Sequence, residues 1–137
     1  MSVGILFYTF ITVKIEMIVE KTENGYSAFA KKQSVYTVGE TLDELKRNIL
    51  EALNLYFEEE GKVVGEQDLK ITLDLAGFFD FYPVINASAL SQRIGMNQSL
   101  LSQYVQGRKK PSEAQSRRIL EGIRQLGKEL NAIQALL

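Results

Sequence analysis

Residues 87–112, ASALSQRIGMNQSLLSQYVQGRKKPS, read as two short helices joined at a glycine and followed by a basic loop, the pattern of a helix-turn-helix. Charge follows the same division. Residues 86–137 carry eight Lys/Arg against three Asp/Glu, a net of +5, whereas residues 1–85 carry eight against fourteen, a net of −6. The overall −1 of the 137-residue chain therefore conceals two electrostatic halves. The change of sign near residue 85 favours two lobes, and the element patterns below make them an α+β lobe at 1–76 and an all-α lobe at 77–137, each small enough that oligomerisation is expected to add to its burial.

Within 87–104, Leu90, Ile94, Met96, Leu101 and Tyr104 supply a small apolar core, Ser91 lets two helices approach at their crossing, and Gly95 permits the backbone angle of the turn. Asn97 suits the N-cap of the second helix, with Met96 and Leu101 spaced as a hydrophobic staple. That helix is expected to run to about Gln106 and stop at Gly107. Asn97, Gln98, Ser99, Ser102 and Gln103 are then left facing outward, all uncharged hydrogen-bonding types. Amides bond the adenine edge in a bidentate way, and a recognition helix enters the major groove N-terminus first, so these five are the candidate base-contacting residues. Arg108, Lys109 and Lys110 in the loop, with Arg93, are the candidate phosphate contacts, which position a protein on a duplex without reading it. The plainer alternative is a helical bundle with a solvated polar face.

GMNQSLLSQYVQGRKKPS resembles the lambda-repressor or Xre-like helix-turn-helix family, whose usual form is Gly-hydrophobic-Ser-x-Ser-x-hydrophobic-Ser and ends in Gly-x-x-x-Pro-Ser. The resemblance implies binding to double-stranded operator DNA as a dimer. One position departs: Ala87 stands where the family often has a phosphate-bracing Gln.

Either side of the motif the pattern stays helical. Residues 78–84 are aromatic and interrupted by Pro83, and are expected to pack Phe79 and Tyr82 under the motif. Ser112 and Gln115 fit a capping box. Ile119, Ile123, Leu126, Leu130, Ile133 and Leu137 alternate at spacings of four and three, which reads equally as a coiled-coil dimer seam or as a stripe docked on the motif. Gly122 and Gly127 weaken any long straight coil.

In the acidic half, residues 13–20 alternate, with Val13, Ile15, Met17 and Val19 on one face and Lys14, Glu16 and Glu20 on the other, as a half-buried strand does. Asn24-Gly25 predicts a type I′ hairpin turn, with a return strand over 26–30 and a third strand over 35–38 ending at Gly39. Thr41 and Glu44 fit a capping box, and Leu42, Leu45, Ile49, Ala52, Leu53 and Tyr56 recur at helical spacing, with Gly61 as the stop. A fourth strand over 69–75 should turn Leu69, Ile71, Leu73 and Leu75 inward and Lys70, Thr72 and Asp74 outward. The order is β-β-β-α-β: one sheet face covered by a helix, the other face and the edges available to a partner or simply solvated.

NGYSAFAKKQSVYTVGETLDELKRNILEALNLYFEE resembles the HicB antitoxin family, in which a Gly-Tyr strand start, a Gly-x-Thr turn and an L-x-E-L/A-x-x-N-I-x-E-A-I/L helix recur. The resemblance spans roughly 13–75 and implies a partial, catalytically dead ribonuclease H-like fold that binds a small basic HicA-like RNA-cleaving toxin. The family's P-x-x-P-G-C stretch is absent, with Lys31-Lys32-Gln33-Ser34 in its place.

Composition bounds the chemistry. There is no Cys, hence no disulfide and no thiolate metal site, as suits a reducing cytoplasm. There is no His, which removes the commonest general base and zinc ligand. The remaining enzymatic reading, a carboxylate nuclease using Asp74 and Asp80, is weak, because Glu16, Glu20 and Asp74 alternate outward as solvated acids do. No enzyme activity, cofactor or metal is expected. The apolar run 3–13 lacks a basic start and is closed by Lys14 and Glu16, so neither a secretory signal nor a membrane span is read there; it suits a strand extension or sequence upstream of the real start, and a start at Met17 would cut a strand.

The expectation is a cytoplasmic HicB-type antitoxin, a homodimer or higher even oligomer, that neutralises a toxin through its front lobe and represses its own operon through its rear one. The toxin-contacting residues are left unassigned. A regulator whose front domain senses a small molecule or another protein is the alternative.

Overall fold

The computed structural model describes residues 13–137, so the reading of the first dozen residues lies outside the described residues. The chain divides into two compact units, the boundary falling after Asp74. Among the described residues no helix is long and apolar enough to cross a membrane.

The first unit holds β1 (Ile15–Thr22), β2 (Gly25–Ala30), β3 (Tyr36–Gly39), α1 (Leu42–Tyr56) and β4 (Leu69–Leu73). Its sheet runs β3-β2-β1-β4, with β1–β2 and β2–β3 antiparallel and β4 parallel to β1. The parallel pairing follows from the α1 crossover, since two parallel neighbours cannot be joined by a tight turn. Ile15, Met17 and Val19 point to one face, where they bury against Ala28, Ala30, Leu69 and the α1 side chains Leu45, Ile49 and Leu53. Burial of that stripe, at about 25 cal/mol per Å² of apolar surface, is what holds the helix to the sheet.

Several details depart from the sequence expectation. β1 starts at Ile15, and Val13 ahead of it is 72% exposed. The hairpin turns at Glu23 and Asn24, with Thr22 paired to Gly25. No described non-glycine residue has positive φ, so the turn is not type I′. Gly25 instead opens β2 at φ 155°, where a Cβ would strike the Gly39 carbonyl oxygen and come within 2.7 Å of Glu40 Cα. The α1 stripe buries only its centre, leaving Leu42 and Tyr56 exposed at the ends. Gly61 closes a short 3-10 turn, Glu58–Glu60, that follows α1. Thr41 Oγ1 accepts from Glu44 N at 3.1 Å, but the Glu44 carboxylate accepts from Glu40 N, one residue before the cap. On the edge strand β4, Ile71 shares a face with buried Met17 yet is exposed, since α1 does not reach over it. Leu75 is buried as the first residue of a helix rather than the last of a strand.

Among the described residues, no helix of this unit lies on the other face of the sheet. Register places Tyr36, Phe29, Ile18 and Thr72 in one row across it. Beside that row the Glu16 carboxylate is held between Lys31 Nζ at 3.4 Å and Lys70 Nζ at 3.6 Å. The Lys31 hydrogen bond and charge, with Lys70 adding to them, lower the Glu16 pKa.

The second unit is all helical: α2 (Leu75–Phe81), α3 (Ala87–Ile94), α4 (Gln98–Val105) and α5 (Glu113–Ala132), then a 3-10 turn, Ile133–Leu136. Leu75, Phe79, Leu90, Met96, Leu101, Tyr104 and Ile119 form its buried set. Phe79 is packed as expected; Tyr82, beyond the end of α2, is half-buried against Phe78 with ring centroids 5.0 Å apart. The long apolar stripe of α5 is divided. Ile119 is fully buried and Ile123 and Leu126 are partly covered, whereas Leu130, Ile133 and Leu137 are exposed.

Candidate nucleic-acid interface

The α3–α4 pair is built by local chemistry at each end. Asn86 caps α3, its side-chain oxygen accepting from Ala89 N at 3.0 Å. At the other end Gly95 takes the left-handed conformation, φ 68°, and its N–H donates to the last carbonyls of α3, a C-cap that glycine occupies without a Cβ penalty. Met96 N donates to Ser91 O at 2.9 Å and so brings the chain round to α4. Ser91, 1% exposed, is the small residue at the crossing, and its hydroxyl is satisfied by donating to Ser88 O at 2.6 Å.

α5 holds the pair from outside. The Arg118 guanidinium donates to Ile94 O and Gly95 O, the carbonyls that a helix C-terminus leaves without intrahelical partners. Gly122 faces Ile94 so closely that an added Cβ would overlap its Cγ2. The helices can pack here only because position 122 has no side chain.

Asn97 caps α4, accepting from Leu100 N at 3.2 Å, while Leu101 and Tyr104 bury the inner side. Asn97, Gln98 and Ser99 are exposed at the first turn. Ser102 and Gln103, one turn on, are partly covered, and Ser102 Oγ accepts from Gln106 Nε2 at 3.1 Å. The chain leaves α4 through Gly107, φ 73°, with Arg108 N and Lys109 N donating to Gln103 O. Arg108, Lys109 and Lys110 are exposed just past that bend. Thus eight of the nine expected residues lie at the N-cap of α4, on α4 or in the loop that follows it.

Arg93, the ninth, sits on α3 and pairs with Glu129 of α5. A phosphate contact by Arg93 would have to compete with that carboxylate. Sequence reasoning missed this partner, the Arg118 clasp and the Gln106–Ser102 bond. Asn86 was legible, since Asn directly before a helical run is a strong capping signal.

Among the described residues no three acidic side chains gather as a metal site. No protein-family model, curated protein or solved structure matches this chain.

Proposed function

We propose that this protein is a HicB-type antitoxin whose second unit is an Xre-like helix-turn-helix. As a dimer it binds an inverted repeat upstream of its own gene and represses it, while the first unit, a partial ribonuclease H-like domain in this reading, binds a small basic HicA-like RNA-cleaving toxin. The observation that carries the proposal is the surface of α4. Its first turn exposes only uncharged hydrogen-bonding side chains, Asn97, Gln98 and Ser99, and the basic Arg108-Lys109-Lys110 loop follows at once. Base-reading groups on a helix N-terminus with cations beside them are the division of labour a major-groove reader needs.

The exposed end of the α5 stripe, Leu130 and Ile133, supports dimerisation through that end. Two copies then meet half-sites about one helical turn, roughly 34 Å, apart. The net −6 of residues 1–85 has the sign that steers a basic partner and disfavours RNA. Band shifts with the full chain on the inverted repeat, against a scrambled duplex at moderate salt, test the proposal. Sequence-selective retardation is expected, and equal affinity for both duplexes contradicts it.

A further inference from the structure

Resting on the reading that the first unit binds a basic protein, we infer that this partner docks on the outer side of α1, over the groove α1 forms with edge strand β3, and inserts a lysine or arginine side chain there. The groove has a volume of about 260 Å³ and is lined by Thr37, Asn48, Glu51, Ala52 and Leu55. The four α1 residues lie at i, i+3, i+4 and i+7, one continuous stripe distinct from the Leu45–Ile49–Leu53 stripe that packs on the sheet. Ala52 and Leu55 give the groove apolar surface. Thr37, Asn48 and Glu51 contribute a hydroxyl, an amide oxygen and a carboxylate, all acceptors. Asn48 is fixed across the groove by donating Nδ2 to Val38 O at 2.7 Å, which also occupies a carbonyl of the edge strand. A long cationic side chain matches this composition, with its methylene stem on the apolar part and its charged head among the oxygens.

Two further observations favour this face. Leu55 is 65% exposed, a large apolar side chain on a helix already packed on its other side. The charge is also local. Residues 40–68 hold nine acidic and three basic side chains, net −6, whereas 13–39 with 69–74 hold four acidic and five basic, net +1. The negative charge of the front half therefore belongs to α1 and its flanking turns. The opposite sheet face around Tyr36 and Val38 lacks this excess, and its Glu16 is already offset by Lys31 and Lys70.

The test uses the full chain and the purified product of the adjacent small gene, in calorimetric titrations of wild type, Leu55→Asp, Glu51→Lys and Tyr36→Asp. All three sites are at the surface, and circular dichroism confirms folding. Wild type and Tyr36→Asp are expected to bind alike, and Leu55→Asp and Glu51→Lys at least tenfold more weakly. If wild type binds and those two variants bind equally well, or if Tyr36→Asp alone abolishes binding, the placement is overturned while the partner reading stands. If wild type itself fails to bind, the partner reading falls and the placement with it.

Discussion

Arg118 on α5 donates through its guanidinium to the carbonyl oxygen of Ile94 at 2.9 and 3.2 Å, and to that of Gly95 at 2.6 Å, so the turn between α3 and α4 is held by a side chain from a distant helix. A cation at a helix C-terminus gains from the helix dipole as well as from the hydrogen bonds. Arg118→Ala is expected to cost about 1–2 kcal/mol and to raise amide exchange through α3 and α4. Arg118→Lys keeps the charge but not the planar fork and should recover only part of the loss. Exchange rates in α3 unchanged by Arg118→Ala would refute a holding role.

The two glycines of α5 should respond in opposite directions to the same substitution. A methyl at Gly122 overlaps Ile94, while one at Gly127 meets nothing within 4 Å. Gly127→Ala is expected to stabilise by up to about 1 kcal/mol through helix propensity. Gly122→Ala should destabilise by about 1–3 kcal/mol despite the same propensity gain, because the helices must part. Chemical denaturation of the two variants measures both signs.

If the exposed end of the α5 stripe is the dimer seam, a charge placed there separates the protomers without unfolding them. Leu130→Asp with Ile133→Asp is expected to sediment as a monomer where wild type is a dimer, and to lose at least tenfold in operator affinity. An unchanged sedimentation coefficient locates any dimer contact elsewhere.

At the proposed duplex interface, loop and helix substitutions should differ in kind. Lys109→Ala is expected to weaken binding to all sequences and to reduce the salt slope by about 1. Gln98→Ala should leave the slope unchanged and relax preference at one base pair, by about 1–3 kcal/mol of discrimination. Binding isotherms over a salt series on matched and mismatched duplexes separate the two.

The Glu16 ion triad gives the first unit a pH dependence of known sign. Because Lys31 and Lys70 lower the folded-state pKa of Glu16, its stabilising contribution is present above the ordinary glutamate pKa and is lost as pH falls through the lowered one. Glu16→Gln is therefore expected to lower the melting temperature slightly at neutral pH and to converge on wild type at strongly acidic pH. The pair of melting curves, taken across the carboxylate range, checks the sign.

Much of the fold was legible because burial has a period. Ile15, Met17 and Val19 announced a strand, and Leu45, Ile49 and Leu53 a helix, without reference to anything distant. What failed depended on distance. Ile71 follows the inward pattern, but its exposure is set by how far α1 extends over the sheet edge. The hairpin turn was misplaced because the constraint on Gly25 comes from Gly39 and Glu40, which local turn rules do not see. The same holds at the candidate site. Positions on α4 followed from helical spacing, whereas Arg118 and Glu129 resemble any solvated charge on a long helix until the fold brings them against α3.

Gly25 sits where the hairpin meets the start of α1, with backbone against backbone and no room for a single extra carbon. In a saturation library screened for soluble protein, codon 25 should return glycine alone, while codon 61, whose neighbourhood is open, tolerates other residues at a modest conformational penalty. Recoding the hairpin for engineering must therefore work around this one fixed letter.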